Sequence, residues 1–213
     1  MPDSKIASLR ILLSERDMYV SDRSKYQGQL TDQRNFMSKT DFADKSKRLK
    51  MLIKNLDVSI ASIDKKIDAL FDSDDTLSKQ HKLLCSIDGV GTKTATIMIA
   101  TTNAFRDFAD GRSLCCYAGV APFEQSSGSS IRSKNKVSQK ANKSIKSLLH
   151  MCAVSVATRK KDGEFREYYL RKVAEGKNKM SVLNAIRAKL VLRMFAVIKN
   201  NRMYDKKYAT GFE

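Results

Sequence analysis

The sequence predicts an all-α fold, and three observations support that class. Proline occurs only at Pro2 and Pro122 in 213 residues, so long helices can run almost without interruption. Apolar residues recur at spacings of three and four in several long segments, which is typical of amphipathic helices. No strict alternation of apolar and polar residues persists, which disfavours strands. We therefore expect a long antiparallel helical hairpin or coiled coil, followed by a compact helical domain.

Residues 1–75 are predicted to form the helical hairpin, with a break near residues 37–44. The first helix has apolar residues at helical spacing, at Ile6, Leu9, Leu13 and Val20. The second helix has a clearer seam, at Leu49, Leu52, Leu56, Ile60, Ile63, Ile67 and Leu70. Such a seam usually pairs with another helix, so we expect a dimerisation or spacer element and a homo-oligomer. The alternative interpretation is a plain helical scaffold.

Residues 76–213 are predicted to form the compact helical domain. Short helices with glycine-containing turns occupy its first part, and residues 122–136 are serine-rich and irregular. Three longer helices are expected over about 138–158, 164–174 and 179–199. The last of them has one apolar face, formed by Leu183, Ile186, Leu190, Met194 and Val197.

The net charge of +17 is unevenly distributed along the chain. Residues 1–75 carry 14 basic and 13 acidic side chains, whereas residues 76–213 carry 26 basic and 10 acidic ones. A one-sided basic excess favours a polyanionic partner such as nucleic acid. An acidic small molecule or an anionic membrane surface explains it less well.

Several classes of protein do not fit the composition. No run of 18 apolar residues could span a membrane, and no signal peptide is evident. The four cysteines show no CxxC spacing and are expected to be reduced, mostly buried thiols of a cytoplasmic protein. With only two histidines, His81 and His150, a zinc site or a Ser/His/Asp triad has few candidate residues.

A glycine-containing turn near residue 90 is the first candidate site. It separates two apolar helical segments and resembles the helix-hairpin-helix motif of non-specific DNA-binding proteins. Gly89 and Gly91 permit close backbone approach, and the next helix offers free N–H groups to a phosphate. Thr92 and Lys93 add a hydroxyl group and a charge, so all four residues are candidate DNA contacts. A tight turn without any ligand is the alternative.

The serine-rich stretch is the second candidate site. Ser126 and Ser127 lie near three cations, Arg132, Lys134 and Lys136. A serine nucleophile also needs a base, and the one nearby carboxylate is Glu124. The residues alone therefore favour a flexible linker over a catalytic loop.

Basic side chains form two further candidate surfaces. Lys136, Lys140, Lys143 and Lys146 are spaced four, three and three, which predicts one basic helix face along a nucleic-acid backbone. The alternative is an ordinary solvated face. The second surface would comprise Lys177, Lys179, Arg187, Lys189 and Arg193.

Six short motifs follow one another in an order that identifies a family. They are Ile-Asp-Gly-Val-Gly at 87–91, Tyr-Ala-Gly-Val-Ala-Pro at 117–122, Ser-Ser-Gly at 126–128, Val-Ser-Gln-Lys-Ala-Asn-Lys at 137–143, Leu-Leu-His at 148–150 and Glu-Gly-Lys-Asn-Lys at 175–179. The series resembles the C-terminal transposase domain of the insertion sequence one-hundred-ten family, the DEDD or bridge-RNA-guided recombinases. The helical hairpin that precedes it also has a counterpart in that family.

The resemblance implies a recombinase that cuts and joins DNA at the ends of a mobile element, with DNA and a guide RNA as partners. The family's nucleophilic serine stands in a Ser-Gly context, which matches Ser127 here. A shift of one residue would select Ser126 instead. The protein would then act in the bacterial cytoplasm, in association with the nucleoid.

The resemblance also marks a difference from the family pattern. Family members begin with a resolvase-like nuclease domain whose four carboxylates bind Mg²⁺, whereas Asp17, Asp22 and Asp32 here are scattered along a charged helix. We therefore expect no metal or other cofactor in this chain and Mg²⁺ only in a full-length enzyme. We also expect this chain alone to bind DNA or RNA without cutting it. The rival hypotheses are a non-catalytic helix-hairpin-helix nucleic-acid-binding module and, less well supported, a purely structural dimerisation protein.

Overall fold

A computed structural model describes residues 4–123, 126–127, 131–132, 136–137, 141–159 and 162–205. In these residues the α-helices are α1 (Ser4–Asp32), α2 (Lys39–Asp72), α3 (Asp75–Cys85), α4 (Thr92–Thr101), α5 (Gly111–Tyr117), α6 (Lys143–Val154), α7 (Glu164–Ala174) and α8 (Lys179–Lys199). A 3₁₀ turn, Gln33–Asn35, follows α1, and a π-helical segment, Ser155–Arg159, continues α6. The predicted all-α class is confirmed.

The chain divides into two compact units, Met1–Ser78 and Lys79–Glu213, which we call the arm and the body. The sequence placed the domain boundary between residues 75 and 76, and the structural division falls inside α3.

The arm consists mainly of α1 packed against α2. Ion pairs join Lys5 to Asp74, Arg16 to Asp64 and Arg23 to Asp57, so residue numbers rise along α1 as they fall along α2. This order makes the two helices antiparallel, as in the predicted hairpin. Ser38 caps α2, since its hydroxyl group accepts a hydrogen bond of 3.1 Å from the Asp41 N–H.

The seam of α2 differs from the predicted one at two positions, because Ile53 and Phe71 are buried where the pattern predicts Leu52 and Leu70. Ile53 is 9% exposed, whereas the predicted seam residue Leu52 is 40% exposed. Both residues satisfy the spacing of three and four between Leu49 and Leu56, so the pattern alone did not distinguish them.

The body is built around α8, which packs against α5, α6 and α7. The predicted apolar face of α8 is fully buried, at Leu183, Ile186, Leu190, Met194 and Val197. This long helix therefore fixes the positions of the shorter ones around it.

The predicted helix over about 138–158 begins later, at Lys143. Asn142 has an extended backbone (ψ 101°), and its side chain accepts a hydrogen bond of 3.1 Å from the Ile145 N–H. An N-cap of this kind ends the preceding chain conformation and starts the helix. At its other end the helix passes into the π-helical segment, where Val156 and Ala157 are buried.

The stretch predicted to be irregular contains two short antiparallel strand pairs. They are formed by β1 (Pro122–Phe123), β2 (Ser126–Ser127), β3 (Ile131–Arg132) and β4 (Lys136–Val137). β1 pairs with β4, and β2 pairs with β3 within the connection between them. Each ladder is two residues long, too short to show a period-two pattern in the sequence. We call residues 122–137 the serine hairpin.

Candidate nucleic-acid interface

Gly89 is a packing residue in the turn between α3 and α4. Its φ is +85°, and a Cβ added there would lie 2.3 Å from Val156 Cγ1 and 3.2 Å from the Cys152 carbonyl oxygen. Glycine at this position therefore lets the turn approach the end of α6 and the π-helical segment. A phosphate contact at Gly89 stays a prediction, as does the helix-hairpin-helix assignment of the turn.

Gly91, by contrast, is open to solvent. It is the N-cap of α4, and no atom lies within 4 Å of a Cβ added there. No side chain caps this helix, whose first backbone bond runs from the Ala95 N–H to the Gly91 carbonyl at 2.9 Å. Thr92 and Lys93 are exposed, and their N–H groups have no acceptor within the described part of the chain. The start of α4 thus offers free N–H donors, the positive end of a helix dipole and one lysine.

His81 joins α3 to the first turn of α4. Its Nε2 lies 3.2 Å from the Thr92 carbonyl oxygen and 3.3 Å from Thr96 Oγ1, and the Thr96 hydroxyl group donates to the same carbonyl at 2.9 Å. These contacts hold the exposed end of α4 in place. Sequence reasoning gave this histidine no role, because it has no regular spacing from the residues that it contacts.

Ser126 and Ser127 form β2 of the serine hairpin, opposite Arg132 and Ile131 respectively. Ser127 is the last residue of the strand, immediately before Gly128. The backbones of Arg132 and Lys136 lie in β3 and β4. Glu124, Gly128, Lys134 and Lys140 lie outside the described residues.

Two asparagines anchor the described chain on either side of the serine hairpin. Asn142, after the hairpin, donates from its backbone N–H to the Tyr117 carbonyl (2.9 Å) and from Nδ2 to the Tyr117 hydroxyl oxygen (2.8 Å). Before the hairpin, the Val120 carbonyl accepts a bond of 2.8 Å from Asn184 Nδ2 on α8. Rigid supports of this kind are what a precisely placed functional loop requires. An asparagine at a helix start is a recognisable cap in a sequence, whereas the Asn184 contact over 64 residues is not.

The prediction of one basic helix face through four lysines is wrong. Lys136 lies in β4, and only Lys143 and Lys146 belong to α6, because Asn142 starts that helix. Lys143 is exposed and Lys146 is partly buried, three residues apart on the same side of the helix.

Three residues of the second predicted basic surface contact other side chains of the body. Arg187 is 5% exposed, Lys189 lies over the Tyr168 ring, and Arg193 pairs with Glu164 and lies over the Phe165 ring. Lys177 and Lys179 are exposed. Arg187 is therefore not part of an exposed surface, and DNA contacts at the other four residues stay a prediction.

Two of the four thiols are buried, Cys115 and Cys152, and two are exposed, Cys85 and Cys116. Burial raises the pKa of Cys115 to about 11, so this thiol stays protonated at neutral pH. The expectation of mostly buried thiols thus holds for half of them.

No three His, Cys, Asp or Glu side chains come together to hold a metal ion in the described residues. The expectation of Mg²⁺ in a full-length enzyme stays a prediction. None of the described helices is long and apolar enough to cross a membrane.

Comparison with known proteins places this arrangement in a family. Residues 81–170 match the family described as Transposase IS116/IS110/IS902. The chain is 32% identical over 149 residues to the pilin gene-inverting protein of Moraxella bovis, covering 70% of this chain and 46% of that protein. It is 27% identical over 168 residues to the insertion element IS110 uncharacterized 43.6 kDa protein of Streptomyces coelicolor, covering 78% of this chain and 41% of that protein.

The chain spans less than half the length of these curated relatives. The matched segment begins in α3 and ends in α7, so it includes the α3–α4 turn, the serine hairpin and α6. On this basis the chain belongs to the Transposase IS116/IS110/IS902 family.

Proposed function

We propose that this chain supplies the DNA-binding body of a transposase or recombinase, with Ser127 as the nucleophile of a composite active site. The observation that carries the proposal is the serine hairpin, which lies in the matched family segment between two anchored positions, Val120 and Asn142. Relatives include a protein named for pilin gene inversion, which is a DNA rearrangement.

The chemistry expected of Ser127 is transesterification at a phosphodiester. Its Oγ would lose a proton and bond to phosphorus while one bridging P–O bond breaks, and the departing oxygen would take up a proton. Since one phosphodiester replaces another, the reverse step can rejoin DNA without an external energy source. A base and a means of neutralising the phosphate charge are also required, and family carboxylates with Mg²⁺ would supply them.

The test of this role is Ser127→Ala in the full-length protein, with Ser126→Ala as the matched control. Transposition should be lost in the first variant and retained in the second, and DNA affinity should stay within about twofold in both, because a neutral hydroxyl group adds little to phosphate binding. If only Ser126→Ala lost transposition, the nucleophile would be Ser126 and not Ser127. Full transposition by both variants would overturn the proposal.

We expect the chain alone to bind DNA without cutting it. Incubation with element-end DNA and Mg²⁺, followed by denaturing electrophoresis, tests this expectation. A covalent protein–DNA adduct formed by the chain alone would contradict it.

DNA and guide RNA are the proposed partners of the body. The open N-terminus of α4 at Gly91, Thr92 and Lys93 would hold one backbone phosphate, and Lys143 and Lys146 would add charge. A non-catalytic nucleic-acid-binding module is the second candidate function, favoured by this same exposed helix start. It would predict DNA binding by the full-length protein together with unchanged recombination after Ser127→Ala.

The arm is proposed to bring copies of the chain together. Ile11 and Met18 are exposed seven residues apart on α1, and Met51 and Val58 repeat that arrangement on α2. Apolar residues at this spacing share one helix face, which a second copy could cover. Sedimentation of the Ile11→Gln/Met18→Gln variant should show a smaller assembly than the wild type, and an unchanged assembly would argue against this surface. Such a recombinase would work in the cytoplasm, at the nucleoid.

A further inference from the structure

Arg187 is a buried arginine whose guanidinium group is only partly satisfied. It lies on α8 and is 5% exposed. Its Nη2 donates to His150 Nδ1 at 2.7 Å, and Nη1 makes a longer contact of 3.4 Å with Asn184 Oδ1. Its Nε is buried and has no hydrogen-bond partner among the residues that the structure describes.

No carboxylate in the described part of the chain compensates the charge of Arg187. Burial lowers the pKa of Arg187, and no acidic side chain opposes that effect. The group nevertheless stays charged at neutral pH, because an arginine pKa starts from above 12. An isolated buried cation is costly, so its presence favours an anion supplied from outside the described residues.

His150 is hydrogen-bonded to Arg187, so the charge of Arg187 polarises its ring. An arginine can only donate, so Nδ1 of His150 must accept and the ring proton must sit on Nε2. Burial, together with the positive charge of Arg187, lowers the pKa of His150 and keeps the ring neutral at pH 7. His150 is partly exposed, and its Nε2 has no hydrogen-bond partner among the described residues. His150 thus presents an N–H donor polarised by a cation behind it.

The pair lies on α6 and α8, the two helices whose asparagines anchor the described chain on either side of the serine hairpin. Asn184, which donates to the Val120 carbonyl, is one turn before Arg187 on α8. Asn142, which anchors the chain after the hairpin, caps α6, the helix that carries His150. An anion at His150 would therefore be positioned by the same rigid elements as the hairpin.

We propose that His150 and Arg187 form an anion-binding pair that donates from His150 Nε2 to a phosphate oxygen of the nucleic-acid backbone. The choice of nucleic acid rests on the function proposed above, whereas the affinity for phosphate does not. Both are positioning residues, and neither takes part in bond making.

The direct test is ¹⁵N NMR of the full chain, with the His150 ring signal assigned by its loss in His150→Phe. Inorganic phosphate and a 12-nucleotide single-stranded DNA are titrated separately. The His150 Nε2 signal should shift to saturation with both probes, at a lower concentration with DNA. No shift with either probe would overturn the proposal. A shift with phosphate without any DNA binding would retain the site and refute the nucleic-acid function.

Binding measurements show whether the two residues act as one unit. His150→Phe and Arg187→Met should each weaken DNA binding by about three- to tenfold, the range for one hydrogen bond, and the double variant should be no weaker than the worse single one. Lys199→Gln is the matched control, because it removes one charge from the exposed end of the same helix. It should leave the NMR response of His150 unchanged. Wild-type affinity in both single variants would overturn the proposal, and the wild-type titration decides it even if Arg187→Met does not fold.

Discussion

The arm and the body each contain an arginine with a largely buried side chain, and the two arginines differ in whether a carboxylate pairs with them. In the arm, Arg16 donates from Nε and Nη2 to the Asp64 carboxylate, and this hydrogen bond raises the pKa of Arg16. In the body, Arg187 has no such carboxylate, and burial lowers its pKa. The same contrast appears in the net charge, which is +1 in the arm and +16 in the body. Basic and acidic side chains nearly balance in the arm, whereas the body carries a basic excess that the proposed nucleic-acid partner would offset.

The largest effect is expected in the arm, where an apolar seam rather than charge should provide most of the stability. Ile53→Ala should lower the free energy of unfolding by about 2–4 kcal/mol, because it removes buried methyl groups between α1 and α2. The neighbouring Leu52→Ala should cost less than about 1 kcal/mol, since that side chain is 40% exposed. Urea denaturation measures both. Equal losses would mean that the seam assigned here is wrong.

The second prediction compares two glycines of the body, Gly89, which is packed against Val156, and Gly91, which is exposed. Gly89→Ala should cost about 2–4 kcal/mol, because its Cβ would overlap Val156 at a positive φ. Gly91→Ala should cost less than about 1 kcal/mol, the loss of a favourable helix-capping residue. It should instead weaken DNA binding, if a phosphate approaches this backbone. Thermal denaturation and a DNA-binding titration of both variants test the assignment, and a destabilised Gly91→Ala would refute it.

Much of the fold could be predicted from the sequence, because long helices show their period clearly. The apolar face of α8 is an example, since its five members follow one spacing and all are buried. The choice between Leu52 and Ile53 could not be made, because two adjacent apolar residues fit the same period. The start of α6 could not be predicted from the lysine spacing, because that spacing continues upstream of Asn142, the residue that caps the helix.

The candidate site was less predictable than the fold. Gly91, Thr92 and Lys93 follow from a local motif, and the structure places all three at one exposed helix start. The sequence predicts an exposed Arg187, because a charged residue on a helix is normally exposed, whereas its burial depends on packing between α6 and α8. Its contact with His150 spans 37 residues and has no sequence signature.

The third prediction compares the two arginines directly: their replacement should change the free energy of unfolding in opposite directions. Arg187→Met should leave the free energy of unfolding unchanged or raise it by up to about 2 kcal/mol, because it removes an uncompensated buried charge. Arg16→Met should lower it by about 0.5–1 kcal/mol, the usual contribution of a largely solvent-screened pair. Calorimetry of both variants measures the difference. If both were destabilised by the same amount, the contrast between arm and body would fail.

The smallest effect is a pH dependence from His150. Its pKa lies below the unfolded value of about 6.5, so the unfolded chain binds the proton more readily. Its contribution to stability is therefore complete above pH 6.5 and is lost as the pH falls toward the folded pKa. Arg187 is the charged group among the described residues that lowers this pKa, so Arg187→Met should raise it toward 6.5. NMR titration of the ring measures this, and an unchanged pKa would show that Arg187 does not control it.

The most direct test of the central claim is the salt dependence of DNA binding by the full chain. Lys93→Gln and Lys143→Gln in the body should each reduce the slope of log affinity against log salt by about 1, as expected when one phosphate contact is lost. Lys47→Gln, an exposed lysine of the arm, should leave the slope unchanged. Equal slope changes for arm and body lysines would contradict the assignment of the free charge to the body.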